Sequence, residues 1–494
     1  MKRWSECSWT NSVWKSTANQ PNQFFNYKDY KQVKFYTLGI LLFLATGTAL
    51  AQQPLSLSDA IAIGLEKNYD IRIERKNVIT AENNNDWGAT GILPSVRLDV
   101  QSQNNIRNQQ SDNQFFGGQL FPGFELDDQR SYGLTPSLNV NWTIFQGNKA
   151  IISKRRLEQL EAESMQNADV VIANTLQAII LAYYNAVLEK DRLDVFEQQL
   201  ALSRDVYSYT ETKYDMGSAV TSDLLLEENN YLTDSTNYIN QMLAYRNAVR
   251  TLNVLLVNED LNNSYEFADS LFFEKQQYQF EDLKQAMLAE NVDLKKIYIS
   301  QSILESQVKQ NRSDLFPTLS VNGGYQWNRN VSDLTNATYD GPNTNYQNPP
   351  EPLVSKTGTY FANFTLSFNL FDGGRVNRAI RNAVVAEDIG NLRIEQLETN
   401  LDRDLYEAYE RYEVRRQLYG ISARSEEAAR TNLSISEQKF KSGTINSFDF
   451  RVVQNNYLSA SIVKLQALYN LMDSKVELMR LTGGLIADYG DTNQ

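Results

Sequence analysis

The chain carries one long pattern twice. Phe145-Gln146-Gly147-Asn148 opens a helical run that closes on Lys213-Tyr214-Asp215-Met216-Gly217, with Asp223 beyond it. Phe371-Asp372-Gly373-Gly374 opens another that closes on Lys439-Phe440-Lys441-Ser442-Gly443, with Asp449 beyond it. Each pair lies 226 residues apart, and so do Ala182-Tyr183 with Ala408-Tyr409 and Asn229-Asn230-Tyr231-Leu232 with Asn455-Asn456-Tyr457-Leu458. Whatever one unit builds the other must build again, and interleaved units of this size fit one body better than two separate domains.

Strands precede each long helical run. Leu134, Pro136, Leu138, Val140, Trp142 and Ile144 alternate with Thr135, Ser137, Asn139, Asn141 and Thr143, the period of a strand with one apolar face. Val96, Leu98 and Val100 alternate in the same way, as do Leu319, Val321, Tyr325 and Trp327, and Tyr360, Ala362, Phe364, Leu366, Phe368 and Leu370. The spacing predicts strands at about 95–103, 132–145, 318–328 and 359–371, joined by long polar loops at 102–130 and 328–358. These are two hairpins of near membrane-spanning length, with uncharged polar residues on the second face. Four strands are too few to close a barrel, and an open sheet edge in lipid leaves backbone groups unpaired. If the strands span a bilayer, several chains must share one barrel.

The helices set a second length. Residues 148–214 contain no proline, and at about 1.5 Å per residue they give about 100 Å of helix. Ala173, Leu176, Ile180, Tyr183 and Val187 step by three and four, as do Leu401, Leu405, Ala408 and Tyr412, which reads as a coiled-coil seam. The return helices, to about Val257 and from about Asn446 to Leu481, are shorter. A helix at 282–315 is expected to stack on the first return helix, and the helix from Ser58 to Ala89 on the second, so that the two halves close on each other. Asn68-Tyr69-Asp70-Ile71 matches Asn291-Val292-Asp293-Leu294 and marks those two short helices as equivalent.

Composition removes several functions. Lys31 and Lys34, the apolar run Phe35–Ala51 and the Ala49-Leu50-Ala51 end read as a leader and signal peptide over 1–51, with a mature start at Gln52 and an uncertain true start before Lys31. Without residues 1–51, which hold six Lys/Arg and two Asp/Glu, 41 basic and 58 acidic residues remain and the formal charge is −17. Such acidity argues against a nucleic-acid partner. Cys7 is the one cysteine and there is no histidine, so Cys/His metal sites and His-dependent catalysis are excluded. No cofactor is called for. No stretch after Ala51 reads as long and apolar enough for a spanning helix.

The ordered set of motifs resembles the TolC-like outer-membrane efflux protein family, over residues 55–482. The resemblance rests on the duplicated helix-strand-strand-helix unit, the Phe-x-Gly-Gly exit from the hairpins, and the Tyr/Phe-x-x-Gly turn with an Asp six residues on. It implies an α+β membrane protein with a first repeat at 52–281 (long helix 148–215) and a second at 282–494 (long helix 374–440). It further implies a homotrimer whose twelve-stranded β-barrel in the outer membrane of a Gram-negative bacterium continues into a long periplasmic α-helical barrel. The activity implied is not enzymatic. It is a passive exit duct for tripartite efflux or type I secretion, working with a periplasmic adaptor protein and an inner-membrane transporter, and in contact with outer-membrane lipid. The alternative is an exported coiled-coil scaffold or adhesin without a channel.

Site residues follow from the same resemblance. Tyr214, Gly217, Ser218 and Ala219, with Phe440, Gly443, Thr444 and Ile445, are expected at the tip where an adaptor docks; the alternative is that they only make the turn. Asp449 matches an acidic position that rings the entrance in the family. An Asp in the first turn of a helix is also stabilised by the macrodipole, and Asp223 shows the position can be architectural. The family's second acidic ring falls at Val452 here, which leaves a double ring in doubt. Gly147, Gly373 and Gly374 read as the bend from strand to helix. Trp142, Trp327 and Tyr360 read as interfacial aromatics or as ordinary packing. Glu407, Glu410, Arg411, Glu413, Arg415 and Arg416 read as a solvated face with local pairs.

Overall fold

The computed structural model describes residues 54–271, 277–343 and 345–490. The leader and signal peptide expected at 1–51 lie outside the described residues. The chain begins with α1 (Leu57–Lys67) and α2 (Tyr69–Asn84), followed by strand β1 (Ser95–Ser111), a small hairpin of β2 (Gln114–Phe116) and β3 (Gln119–Phe121), and β4 (Phe124–Gln146). Helix α3 (Lys149–Asp215) turns into α4 (Thr221–Leu255). The second half repeats the plan with α5 (Phe280–Glu290), α6 (Val292–Ser313), β5 (Thr318–Asp333), the short β6 (Thr338–Asp340), β7 (Leu353–Ser367), α7 (Arg375–Lys441) and α8 (Ser447–Leu481), and closes on α9 (Gly484–Tyr489). The two long helices have 67 residues each and the two return helices 35.

The long strands form one antiparallel sheet in the order β1-β4-β5-β7. One register row runs Leu98–Leu138–Tyr325–Tyr360, and the next row toward the helices runs Val96–Val140–Gly323–Ala362. These residues share one face. The other face carries Asn139, Asn141, Ser320, Asn322, Asn363 and Thr365. Among the described residues, both β1 and β7 are left with an open edge.

Several sequence expectations need correction. Strand β1 runs past the expected end at 103, its ladder with β4 reaching Ser111↔Phe124 with a bulge between Arg107 and Gln109. Residues expected as loop therefore lie largely in the ladder. Polar side chains on both faces carry no alternation to read, while backbone hydrogen bonding does not depend on side-chain polarity. At the other edge β7 begins early, at Leu353, and ends at Ser367; Phe368, Leu370 and Phe371 lie beyond the ladder and stay exposed.

The short helices are broken and stack the other way round. Asn68 ends α1 and caps α2, and its Nδ2 donates to Leu255 O at 3.2 Å. Asn291 ends α5 and caps α6, and its Nδ2 donates to Leu481 O at 2.9 Å. Each return helix therefore meets the short helices of its own half. Helix α1 starts at Leu57 rather than Ser58, and Ser56 caps it through a capping box with Asp59. In the lower half the helices adjoin in the order α4–α3–α8–α7, and in the upper half α2–α3–α6–α7. Length alone could not choose between the partners; the paired amide-to-carbonyl contacts do.

Two cores sit where the short helices pack. Leu176, Ile179, Ile180, Tyr183 and Val187 of α3 are buried with Ala60, Ile61 and Leu65 of α1 and Leu252 of α4. Leu401, Leu405, Ala408 and Tyr412 of α7 are buried with Leu283, Met287, Leu471 and Leu478. Contrary to expectation, α3 does contain a stretch long and apolar enough to cross a membrane by composition; its apolar side chains fill the first of these cores instead. Arg411 and Arg415 also reach beyond local pairing, to Glu477 and Asp473 of α8 at 2.6 Å each.

Candidate functional site

The two helix turns form the end of the molecule farthest along the chain from the sheet. After α3, Gly217 takes φ 73° and its N–H donates to Tyr214 O at 2.9 Å, while Ser218 N–H reaches back to Lys213 O at 2.7 Å. After α7, Gly443 also takes φ 73°, with Gly443 N–H to Phe440 O at 3.0 Å and Thr444 N–H to Lys439 O at 2.8 Å. This is the left-handed helix stop in which glycine relieves the Cβ clash and the last carbonyls are satisfied. An added Cβ at either glycine meets nothing within 4 Å, so backbone conformation alone selects the residue.

The turns then differ. Asn446 caps α8 by accepting from Asp449 N at 2.8 Å, while Val220 precedes α4 without a side-chain cap. Asp449 and Asp223 sit in the first turns of the two return helices and are exposed. Neither carboxylate has an ion pair among the described residues. Val452, one turn beyond Asp449, is 46% exposed. Tyr214, Ser218 and Thr444 are exposed, and Ala219 is half-buried.

Phe440 does not belong with the exposed tip. It is 8% exposed, stacks on Phe450 at 4.9 Å and 9°, and meets the ring of Tyr209 at 5.8 Å. With Val206, Leu202, Leu433 and half-buried Ile445 it forms a small apolar core directly behind the turn. An aromatic three residues before a helix-ending glycine points back along its own helix, so it packs inside.

A polar cluster lies deeper. Asp234 of α4 is buried and receives Arg451 of α8 in two bonds, Nη1 to Oδ2 at 2.6 Å and Nη2 to Oδ1 at 2.7 Å, while Gln199 of α3 donates to Oδ2 at 3.1 Å. One bidentate pair thus ties the two return helices and the first long helix together. No motif in the sequence announces it, because its members are 217 residues apart and belong to no repeated pattern.

At the other end of the long helices each strand becomes helix through two consecutive left-handed residues. Gly147 and Asn148 have φ 55° and 61°, and Gly373 and Gly374 have φ 68° and 75°. Gly147 is also confined, since a Cβ there would lie 2.6 Å from Ser313 O and 2.9 Å from Phe316; at Gly373 the space is open. Asp372 accepts from Val376 N at 2.9 Å and Arg375 N at 3.1 Å, and the Val376 bond leads the causes that hold its carboxyl below the usual range.

On the sheet, Trp142 lies toward the helix end and donates to Ile92 O at 2.8 Å. Trp327 lies toward the far end, half-buried, one row beyond the Tyr325–Tyr360 ring pair at 4.6 Å. The apolar face that carries them is exposed at Val96, Leu98, Val100, Phe364 and Leu366.

A sheet with an exposed apolar face, two open edges and a duplicated body of long helices has close counterparts. The family model described as outer membrane efflux protein matches residues 61–257 and again 283–484. The chain belongs to this family. Its members are outer-membrane transport channels, and the helical portion of this chain is periplasmic. The fold is similar to that of the Campylobacter jejuni CmeC outer membrane channel, with a TM-score of 0.67 and 15% identity over 87% of this chain and 85% of that one. The open state of the Neisseria gonorrhoeae MtrE outer membrane channel matches with a TM-score of 0.64 and 14% identity, covering 86% and 88%. The outer membrane protein VceC from Vibrio cholerae matches with a TM-score of 0.62 and 11% identity, covering 86% and 96%. No curated protein sequence matches the chain.

Proposed function

We propose that this protein is the outer-membrane exit duct of a tripartite efflux or type I secretion assembly, and that three copies close one duct. The observation that carries the reading is the pair of open edges. Among the described residues strands β1 and β7 each lack a neighbour on one side, and a sheet whose apolar face lies in lipid must pair those edges. Edge β1 of one copy against edge β7 of the next closes a ring, and three copies give the twelve strands that the family resemblance implies.

The helices support the same closure. On the edge helix α4, Leu225, Leu232 and Ile239 are exposed at seven-residue spacing. On the opposite edge helix α7, Val414, Ile421 and Ile435 are exposed on a stripe of the same period, with Leu418 beside it. Two such stripes on opposite edges fit head-to-tail packing between neighbours. An independent scaffold would leave both stripes and the apolar sheet face in water.

In this reading the turns form the periplasmic entrance. Tyr214, Gly217, Ser218, Gly443 and Thr444 are exposed at the pair of tips, and they with Ala219 meet a periplasmic adaptor protein that also engages an inner-membrane transporter. Phe440 and Ile445 support the turn from behind. Asp449, repeated three times around the axis, raises the negative potential at the mouth and draws cations in, with Val452 as an apolar step beyond it. Asp223 lies at the equivalent place in the first turn of α4.

The test is single-channel conductance in a planar bilayer for the mature protein and for Asp449→Ala. The expected result is a cation-selective pore whose selectivity falls in the variant. Folded protein that never enters the bilayer would refute the duct, and unchanged selectivity would remove Asp449 from the entrance.

A further inference from the structure

Arg329 and Lys356 are direct register partners on β5 and β7. They occupy the apolar face, because Leu134 of β4 pairs with Arg329 in the same row that continues the Leu138–Tyr325–Tyr360 side of the sheet. Both are exposed. Like charges directly opposite on one face repel, and neither side chain has an ion pair or hydrogen bond among the described residues. Arg130, a further cation on this face, is instead held by Asp128 at 2.9 Å. The chain is strongly acidic, yet two unneutralised cations stand together where the neighbouring rows are apolar.

Their height explains what they meet. From the Leu319–Leu366 row near the helix end, the face runs through Val321–Phe364, Gly323–Ala362, Tyr325–Tyr360 and Trp327–Gly358 before it reaches Arg329–Lys356. Ten residues at about 3.3 Å each, tilted by about 40°, rise about 25 Å, the height of the apolar band of an outer-membrane barrel. The two cations therefore emerge at headgroup depth on the side away from the periplasm, just above the aromatics. There the cost of a charged side chain on the lipid face fades, and a phosphate can bridge both heads.

We propose that Arg329 and Lys356 form a binding site for the phosphate of a phosphorylated glycolipid in the outer leaflet, of the lipid A type. The apolar rows below receive its acyl chains while Trp327 and Tyr360 flank the glycan level. The inference rests on the barrel reading above.

The experiment uses the full mature protein in detergent, with a fluorescent diphosphorylated lipid A as probe. Each basic residue near an anionic lipid surface contributes roughly a factor of five, so the double substitution R329Q/K356Q should bind about twenty-five-fold more weakly. The charge-preserving R329K/K356R should retain binding, lipid A stripped of its phosphates should bind the wild type as weakly as the double Gln variant binds the intact lipid, and millimolar inorganic phosphate should not displace the probe. Equal affinity of wild type and R329Q/K356Q overturns the site, as does displacement by inorganic phosphate, which marks a free-anion site. Conductance of the same preparations separates the two readings. Protein that does not insert removes the barrel, whereas conducting protein with unchanged lipid affinity removes the lipid site alone.

Discussion

The buried pair between Arg451 and Asp234 gives the most demanding test of the entrance. Asp234 is 1% exposed at its side chain and Arg451 14%, so Arg451→Met leaves a carboxylate in the core of the tip with only the Gln199 amide to satisfy it. Stranding one member of a buried pair costs about 3–5 kcal/mol. The lower end applies here, because Gln199 remains and Arg451 is partly wet. A loss of about 3 kcal/mol in local stability raises the opening equilibrium about 150-fold. Amide hydrogen exchange over residues 195–240 and 440–465 should accelerate by about that factor, while the core around Leu176 and Tyr183 exchanges as before. Adding Asp234→Leu to Arg451→Met should recover most of the protection, since an apolar pair of similar size removes the stranded charge. If Arg451→Met exchanges like the wild type, or the double variant is the worse of the two, the pair does not hold the tip together. Conductance of the same variants would then show whether loosening the tip widens the pore.

Two further outcomes follow from the geometry. Gly147→Ala should lower the unfolding midpoint more than Gly373→Ala, because both pay roughly 1 kcal/mol for a left-handed backbone while only Gly147 adds a clash with Ser313 O and Phe316; equal shifts in thermal unfolding would contradict this. Asp191 of α3 is pushed up to about 6, first by burial and then by Asp194, with Lys190 opposing. Its ionised form is disfavoured in the folded chain, so its contribution to stability is greatest below about 4 and is lost as pH rises through about 6. Asp191→Asn should therefore raise the midpoint at pH 7.5 and leave it nearly unchanged at pH 3.5, and a gain of equal size at both would refute the assignment.

Much of the fold was legible because periodicity and repetition are local. The alternation at Leu134–Ile144 and Tyr360–Leu366, and the three-and-four steps of Leu176, Ile180 and Tyr183, state which side of each element is apolar. Glycines at 217 and 443 mark turns because no other residue adopts φ near 73° cheaply. The polar ends of β1 and β4 were hidden for the converse reason: strands wet on both sides have no pattern. At the tip, sequence order placed Phe440 beside the exposed turn residues, and only packing showed that it stacks on Phe450 behind them.

The sequence by itself determined the duplicated unit, the apolar face of each strand and the lengths of the long and return helices, since each follows from spacing along one chain. The tertiary structure decided which short helix meets which return helix, through Asn68 to Leu255 and Asn291 to Leu481. It also decided that Arg451 reaches Asp234 and that Arg329 stands opposite Lys356. These are encounters between residues far apart in the chain, and no local period encodes them; the register of the sheet and the side-to-side packing of the helices bring them together.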